Sequence, residues 1–349
     1  MIFRQLYDAT SSTYTYLLAD EQSHEAIIID PVFEQAQRDL SLLDELGLSL
    51  KLILDTHVHA DHVTAAWLLK QKTGAQIANA AVNNAAQVDI PLHHGDRVDV
   101  SGVVLEVRAT PGHTAGCLSY VLTDHSMVFT GDAVLIRGCG RSDFQQGNAA
   151  TLFKSITEQI FSLPDDCKIY PAHDYQGRTV STVAEEKAFN ARAGGGAVEA
   201  DFVGYMDAMK LPHPKKIAEA LPANLRSGMP EDGQLPAEPD WAELRITFSG
   251  VPEVEPEWVV RHRQDVTLLD VREPDELVDG ERVEGAITIP LGQLRDRVAE
   301  VPSDKPVVAL CRSGRRSAMA VSILKEAKHD RVANVRGGML RWHEQVAAV

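Results

Sequence analysis

Short apolar runs alternating with helical patterns organise the first half of the chain. Ala26-Ile27-Ile28-Ile29-Asp30 has the length and β-branched content of a buried strand, and Pro31 ends it because proline cannot donate to a ladder. Leu40, Leu42, Leu43 and Leu46 recur at helical spacing, with Gly47 as the stop. Leu52-Ile53-Leu54 predicts a second buried strand, and residues 63–71 predict a helix after it. Residues 103–107, 118–122, 127–129 and 168–170 are further strands. In the last hundred residues, strands at 266–269 and 306–310 and a helix at 317–327 read as β-α-β.

This alternation predicts an α/β fold. The first part reads as a layered sandwich whose loops carry the polar residues, the second as a small α/β domain with a parallel sheet and crossover helices. Residues 192–196 form a glycine-rich break, and residues 211–256 are rich in Pro and Gly with weak periodicity. The expected domains are residues 1–240, of which 210–240 are tail and linker, and residues 250–349.

Composition narrows the partners. The net charge is −16, with 17 acidic against 15 basic residues from Val251 onward and 33 against 19 before it. So acidic a first domain argues against nucleic acid and anionic membranes. No apolar run approaches the length of a bilayer span, and the N-terminal residues lack a secretory pattern. Cys117, Cys139, Cys167 and Cys311 lie far apart without a CxxC pair, so a reduced, cytoplasmic setting is expected.

The second predicted strand delivers Thr56-His57-Val58-His59-Ala60-Asp61-His62. Imidazole and carboxylate are the groups that bind divalent first-row metals, and four of them within six residues are hard to explain as packing. Thr110-Pro111-Gly112-His113-Thr114, Phe129-Thr130-Gly131-Asp132 and Tyr170-Pro171-Ala172-His173-Asp174 add two histidines and an aspartate at a turn and two strand ends.

With these residues the chain resembles the metallo-β-lactamase superfamily over about the first 240 residues. The resemblance implies an αββα sandwich with metal at one edge and leaves two chemistries open. In one, His57, His59 and His113 hold one zinc, and Asp61, His62 and His173 a second. Asp132 bridges the ions, about 3.5–4 Å apart, and an activated water cleaves a thioester, as in a glyoxalase II-like enzyme. In the other, His57, His113 and Asp132 hold one Fe(II) per chain and leave positions open for O2, while His59, Asp61, His62 and His173 orient the ligands.

The run Ala133 to Gly147, with Leu211-Pro212-His213-Pro214 and Leu221-Pro222-Ala223-Asn224, resembles the persulfide dioxygenase branch. That branch implies oxidation of glutathione persulfide by O2 to sulfite and glutathione with Fe(II) on His57, His113 and Asp132. Arg141 and Tyr175 are the expected partners of the glutathione carboxylates. Related dioxygenases of this fold imply a homodimer.

Cys311-Arg312-Ser313-Gly314-Arg315-Arg316-Ser317 lies between a strand and a helix. Backbone N–H groups, the helix N-terminus and three arginines all favour thiolate over thiol. Arg316 closes a Cys-x4-Arg loop, one residue short of a phosphatase loop, and a smaller cradle suits transfer of one sulfur atom. With Leu268-Leu269-Asp270-Val271-Arg272-Glu273, residues 284–290, Val335-Arg336-Gly337-Gly338-Met339 and Trp342, it resembles the rhodanese sulfurtransferases from about residue 252 onward. The resemblance implies a Cys311 persulfide, stabilised by Arg312 and Arg316, that exchanges sulfur among thiosulfate, sulfite and glutathione. A sulfur-carrier or sensor module is the non-enzymatic alternative.

Overall fold

The computed structural model describes every residue except Lys210, His213, 278–281 and 347–349. His213 of the Leu211–Pro214 motif thus lies outside the described residues. Two compact units emerge, Met1–Leu235 and Pro236–Val349.

In the first unit, β1 (Ile2–Asp8), β2 (Thr13–Ala19), β3 (Glu25–Ile29), β4 (Ser49–Leu54), β5 (Gln76–Ala80) and β6 (Ile90–Leu92) form one sheet in sequence order. A second sheet runs β12-β11-β10-β9-β8-β7, from β7 (Arg97–Val100), β8 (Val103–Ala109), β9 (Leu118–Leu122), β10 (Met127–Gly131), β11 (Lys168–Pro171) and β12 (Ser181–Thr182). Two-residue periodicity explains the layering. Tyr14, Tyr16 and Leu18 of β2 enter the core shared with Tyr120, Phe129 and Tyr170 of the second sheet. Leu17 and Ala19 face the other way, onto α1 (Ala36–Glu45) and α2 (Ala66–Thr73). The far face of the second sheet packs α3 (Ala149–Lys154), a π-helical turn (Ser155–Ile160), α4 (Val183–Phe189) and α5 (Glu199–Ala208).

A register shift where β3 pairs with β4 shows the same rule at work. Leu50 and Leu52 would share a face in a regular strand, yet Leu50 packs under the helices and Leu52 in the inter-sheet core. Lys51 is the extra residue, exposed and ion-paired with Glu25 at 3.3 Å.

The αββα sandwich that the resemblance implies is therefore the observed one. Strand β4 begins three residues before its apolar run because Ser49 and Lys51 face solvent. Within their bounds, strands β1, β5, β6, β7 and β12 carry no apolar run longer than two residues, so tertiary pairing rather than pattern makes them strands.

In the second unit, β13 (Arg245–Ile246), β14 (Pro252–Val254), β15 (Thr267–Asp270), β16 (Ile287–Thr288), β17 (Val307–Leu310) and β18 (Val332–Val335) form a sheet ordered β13-β14-β18-β17-β15-β16. All pairings are parallel except that of β13 with β14. Its faces are covered by α7 (Pro256–Arg261), α8 (Leu291–Arg297), α9 (Arg315–Glu326) and α10 (Gly338–Val346), following α6 (Ile217–Asn224) of the first unit in the chain. Among the described residues, no helix is long and apolar enough to cross a membrane.

Candidate metal centre and thiol site

Strand ends converge on the metal-binding motif. The end of β4 supplies residues 55–62, the turn after β8 supplies His113, the end of β10 supplies Asp132, and the end of β11 supplies His173. Three backbone bonds seat them: Leu118 N–H donates to Thr56 O at 2.7 Å, Ala172 N–H to Gly131 O at 3.0 Å and Tyr14 N–H to Ala172 O at 2.7 Å.

Asp30 organises the first loop, although nothing in its own sequence context marks it as more than a strand terminus. It adopts φ +51° and is buried. Its carboxylate accepts from Thr56 N–H at 2.7 Å, from Thr56 Oγ1 at 2.9 Å and from His59 Nε2 at 3.1 Å. Because Thr56 Oγ1 donates to Asp30, it must accept from His57 Nδ1, 3.0 Å away. That fixes the His57 tautomer and leaves Nε2 as a lone-pair donor. His113 Nδ1 donates to Arg141 O at 2.5 Å, with the same consequence for its Nε2.

The donor atoms of His57, His113 and Asp132 all lie within 4.8 Å of one another. His113 Nε2 is 3.5 Å from Asp132 Oδ2, and buried Asp132 Oδ1 has no hydrogen-bond partner among the described residues. Burial holds His57 neutral, well below the ordinary imidazole range, with the neighbouring His59 and His113 adding to the effect. The neutral His57 imidazole and His113 beside a carboxylate oxygen without a hydrogen-bond partner fit a divalent cation.

His59, Asp61 and His173 form a second group on the same criterion, and His62 belongs to neither. His59 Nε2 is bonded to Asp30, while its ring lies 4.0 Å from that of His57. Burial alone would depress His59, but the Asp30 carboxylate raises it to about 9. Thr13 Oγ1 lies 3.3 Å from His62 Nδ1 and 3.4 Å from His173 Nδ1 and so ties these rings to β2.

Two residues outside the motif shape the loop. Asn224, buried in α6, donates to His59 O at 2.9 Å and His62 O at 2.8 Å and accepts from Thr64 N–H at 2.9 Å. Its side chain closes the metal loop from a helix about 160 residues away. Asn224→Ala would leave these buried groups unpaired, and we expect a 10–100-fold loss of metal affinity. Competition with a chelator measures it, and unchanged affinity would remove the clamp from the account. Gly140 is the second. A Cβ there would sit 2.7 Å from Asp132 O and 2.8 Å from His113 Nδ1, so only glycine lets this backbone support both groups.

A cavity of about 480 Å³ opens onto His57, Asp61, His113, Asp132 and His173. Tyr175 lies in its wall, 70% exposed, stacked on His173 at 6.1 Å. Arg141 lines it too, but its guanidinium is already bound to Asp143 at 2.6 Å and to the carbonyls of Leu211 and Pro212 at 3.0 and 2.7 Å. Arg137 pairs with Glu185 and Glu186, and Arg178 with Asp174. Among the described residues, Arg192 is the cavity arginine without a carboxylate partner: it donates to Cys139 O, lies 3.6 Å from Cys139 Sγ and stacks over Tyr205. The glycine-rich stretch that follows it in sequence gave no sign of this placement.

In the second unit Cys311 follows β17 directly and is buried. Helix α9 begins at Arg315, two residues earlier than its apolar spacing predicts. Arg316 and Ser317 therefore occupy its first turn, where N–H groups lack helical partners. Burial would raise the Cys311 thiol, but the Ser317 hydroxyl at 3.3 Å and the N–H groups of Ser317, Ser313 and Arg316 bring it below its ordinary value. Arg312 is exposed, and Arg316 is held in a bidentate pair by Glu276.

Comparison with known proteins identifies both units. Residues 9–173 match the Metallo-beta-lactamase superfamily and residues 255–345 the Rhodanese-like domain. Over 229 residues the chain is 51% identical to the mitochondrial persulfide dioxygenase ETHE1 of Bos taurus and 50% identical to that of Homo sapiens, covering 66% of this chain and 89% of each relative. The crystal structure of ETHE1 from Myxococcus xanthus matches 65% of this chain and 100% of its own, with 50% identity and a TM-score of 0.63. A metallo-beta-lactamase from Staphylococcus aureus subsp. aureus COL shares the fold over 96% of this chain and 98% of its own, at 24% identity and a TM-score of 0.60. The chain belongs to the persulfide dioxygenase family of the metallo-beta-lactamase superfamily, and it carries a rhodanese-like domain after that unit.

Proposed function

We propose that the first unit oxidises glutathione persulfide with O2, using one Fe(II) held by His57, His113 and Asp132, and that the second unit transfers sulfane sulfur through Cys311. The overall oxidation, GSSH + O2 + H2O → GSH + SO3²⁻ + 2 H⁺, balances without a further reductant. The observation that carries the reading is the His57–His113–Asp132 cluster in the wall of a cavity large enough for a tripeptide-sized ligand. Iron bound there supplies open positions for a soft sulfur and for O2.

The chain's own residues do the rest. Thr56 and Arg141 O fix the ring orientations of His57 and His113. Arg192 is the best-placed cation for a glutathione carboxylate, since Arg141 is already neutralised by Asp143. Tyr175 offers a hydroxyl and a ring face at the mouth. His59, Asp61, His62 and His173 hold charge and hydrogen bonds around the cluster. In the second unit the cradle of N–H groups stabilises the Cys311 thiolate and the persulfide that replaces it. Sulfite leaves the first reaction and glutathione persulfide enters it, and both are reactants of the second with thiosulfate and glutathione. Four free cysteines suit the reducing cytoplasm.

The His59–Asp61–His173 group favours a second reading, a dinuclear zinc thioesterase. Metal analysis separates the two. Protein purified without added metal should contain about one iron per chain and consume O2 with glutathione persulfide. Two zinc ions with hydrolysis of S-lactoylglutathione, and no O2 uptake, would replace the oxygenase.

A further inference from the structure

Glu276 sits where a rhodanese-like cradle has least use for a carboxylate. It lies in the 3-10 turn Pro274–Glu276 and is fixed from behind by Glu273 N–H, 3.0 Å from Oε2. Its oxygens accept from Arg316 Nη1 and Nη2 at 2.5 and 2.6 Å. Arg316 also interacts electrostatically with the Cys311 sulfur and stands in the helix turn whose N–H groups face it. A cation that acts on the nucleophile thus has its fork filled by an internal anion.

A cavity of about 330 Å³ adjoins the loop, lined by Arg272, Glu276, Arg312, Met339, Leu340 and His343. Met339 N–H donates to Cys311 O at 2.8 Å and Leu340 N–H to Arg312 O at 3.0 Å, so these walls are fixed to the cradle. The volume lies in the range of small-molecule sites, well beyond a five-atom oxyanion, and Met339 and Leu340 give it apolar surface.

We propose that Glu276, acting through Arg316, determines sulfur-donor specificity by weakening the binding of small dianions such as thiosulfate relative to thiol-borne persulfides. This rests on the sulfurtransferase reading of the second unit. With thiosulfate, the Cys311 thiolate attacks the sulfane sulfur, the S–SO3 bond breaks and sulfite leaves with the electron pair, giving the Cys311 persulfide. With glutathione persulfide, the same attack expels glutathione as the thiolate, which takes up the persulfide proton. Thiosulfate brings two negative charges to the cradle and must compete with the Glu276 carboxylate for Arg316. The pair is partly solvated, with exposures of 33% and 28%, so it is a displaceable competitor rather than a fixed wall. A thiol-borne persulfide brings at most one charge on its reacting end and has the larger cavity for the rest of the molecule.

Donor kinetics in the full-length protein test this, run anaerobically with cyanide as acceptor, thiocyanate as readout and the uncatalysed rate subtracted. Glu276→Gln keeps the shape and removes the charge. The KM for thiosulfate should fall about fivefold or more with kcat unchanged, while the KM for glutathione persulfide stays within about twofold. A rise in KM for both donors would mean that Glu276 only orients Arg316, and an equal fall for both would mean that it does not discriminate. Either result overturns the proposal. Should the amide variant fail to fold, Glu276→Asp withdraws the carboxylate by one methylene, and a smaller shift in the same direction is expected. An unaltered chain that transfers sulfur from neither donor would sink the sulfurtransferase reading itself.

Discussion

Asp132→Asn should abolish persulfide oxidation, with O2 uptake falling by more than about 100-fold, while sulfur transfer through Cys311 continues at the rate of the unaltered protein. Asp132 follows β10 with one oxygen 3.5 Å from His113 Nε2 and the other 3.8 Å from His173 Nε2, the latter buried without a hydrogen-bond partner among the described residues. The amide preserves the shape but removes the negative charge that balances a divalent cation. Iron content should drop together with O2 uptake. Full uptake with one iron retained would remove Asp132 from the ligand set and return the choice to the neighbouring His59–Asp61–His173 group.

The complementary result is expected of Cys311→Ser: sulfur transfer falls by at least about 10³-fold and O2 uptake is unchanged. A hydroxyl in the same cradle is far less nucleophilic than a thiolate. The N–H groups of Ser317, Ser313 and Arg316 and the Ser317 hydroxyl hold the thiol below its ordinary value. Activity in the unaltered protein therefore depends on a deprotonated group. It should rise with pH through the folded-state pKa and reach its plateau below the ~8.5 typical of a free cysteine. An acidic limb above that value would mean that the cradle does not stabilise the anion. Loss of both activities in the serine variant would place Cys311 in the fold rather than in the chemistry.

Most of the candidate metal centre was legible in the chain. A dense His/Asp cluster after an apolar strand, with three later strand or turn ends carrying His, Asp and His, has few physical explanations other than an ion. The supporting groups were not legible. Asp30 is one acidic residue at the end of a strand, Thr13 one hydroxyl in β2, and Asn224 one amide in a weakly periodic segment. Each matters because of what it reaches across the fold, and sequence spacing carries no record of that. Arg141 illustrates the converse. Its chemistry suits a carboxylate, but Asp143 and the carbonyls of Leu211 and Pro212 already occupy its donors, and its backbone oxygen holds His113. At the thiol site, Cys311 and Arg316 stood out by their spacing, whereas Glu276 lies 40 residues from the arginine it binds.

The sequence by itself determined the α/β class, the strand ends on which the metal-capable groups sit and the cysteine loop between strand and helix. Local periodicity and the chemistry of side chains are properties of neighbouring residues. Tertiary structure alone decided that His57 and His113 share a cluster with Asp132 while His59 turns to Asp30. It also decided that Arg192 lines the cavity without a carboxylate partner among the described residues, and that Arg316 is claimed by Glu276. Those outcomes depend on which of several chemically equivalent partners comes within hydrogen-bonding distance once the sheets have packed.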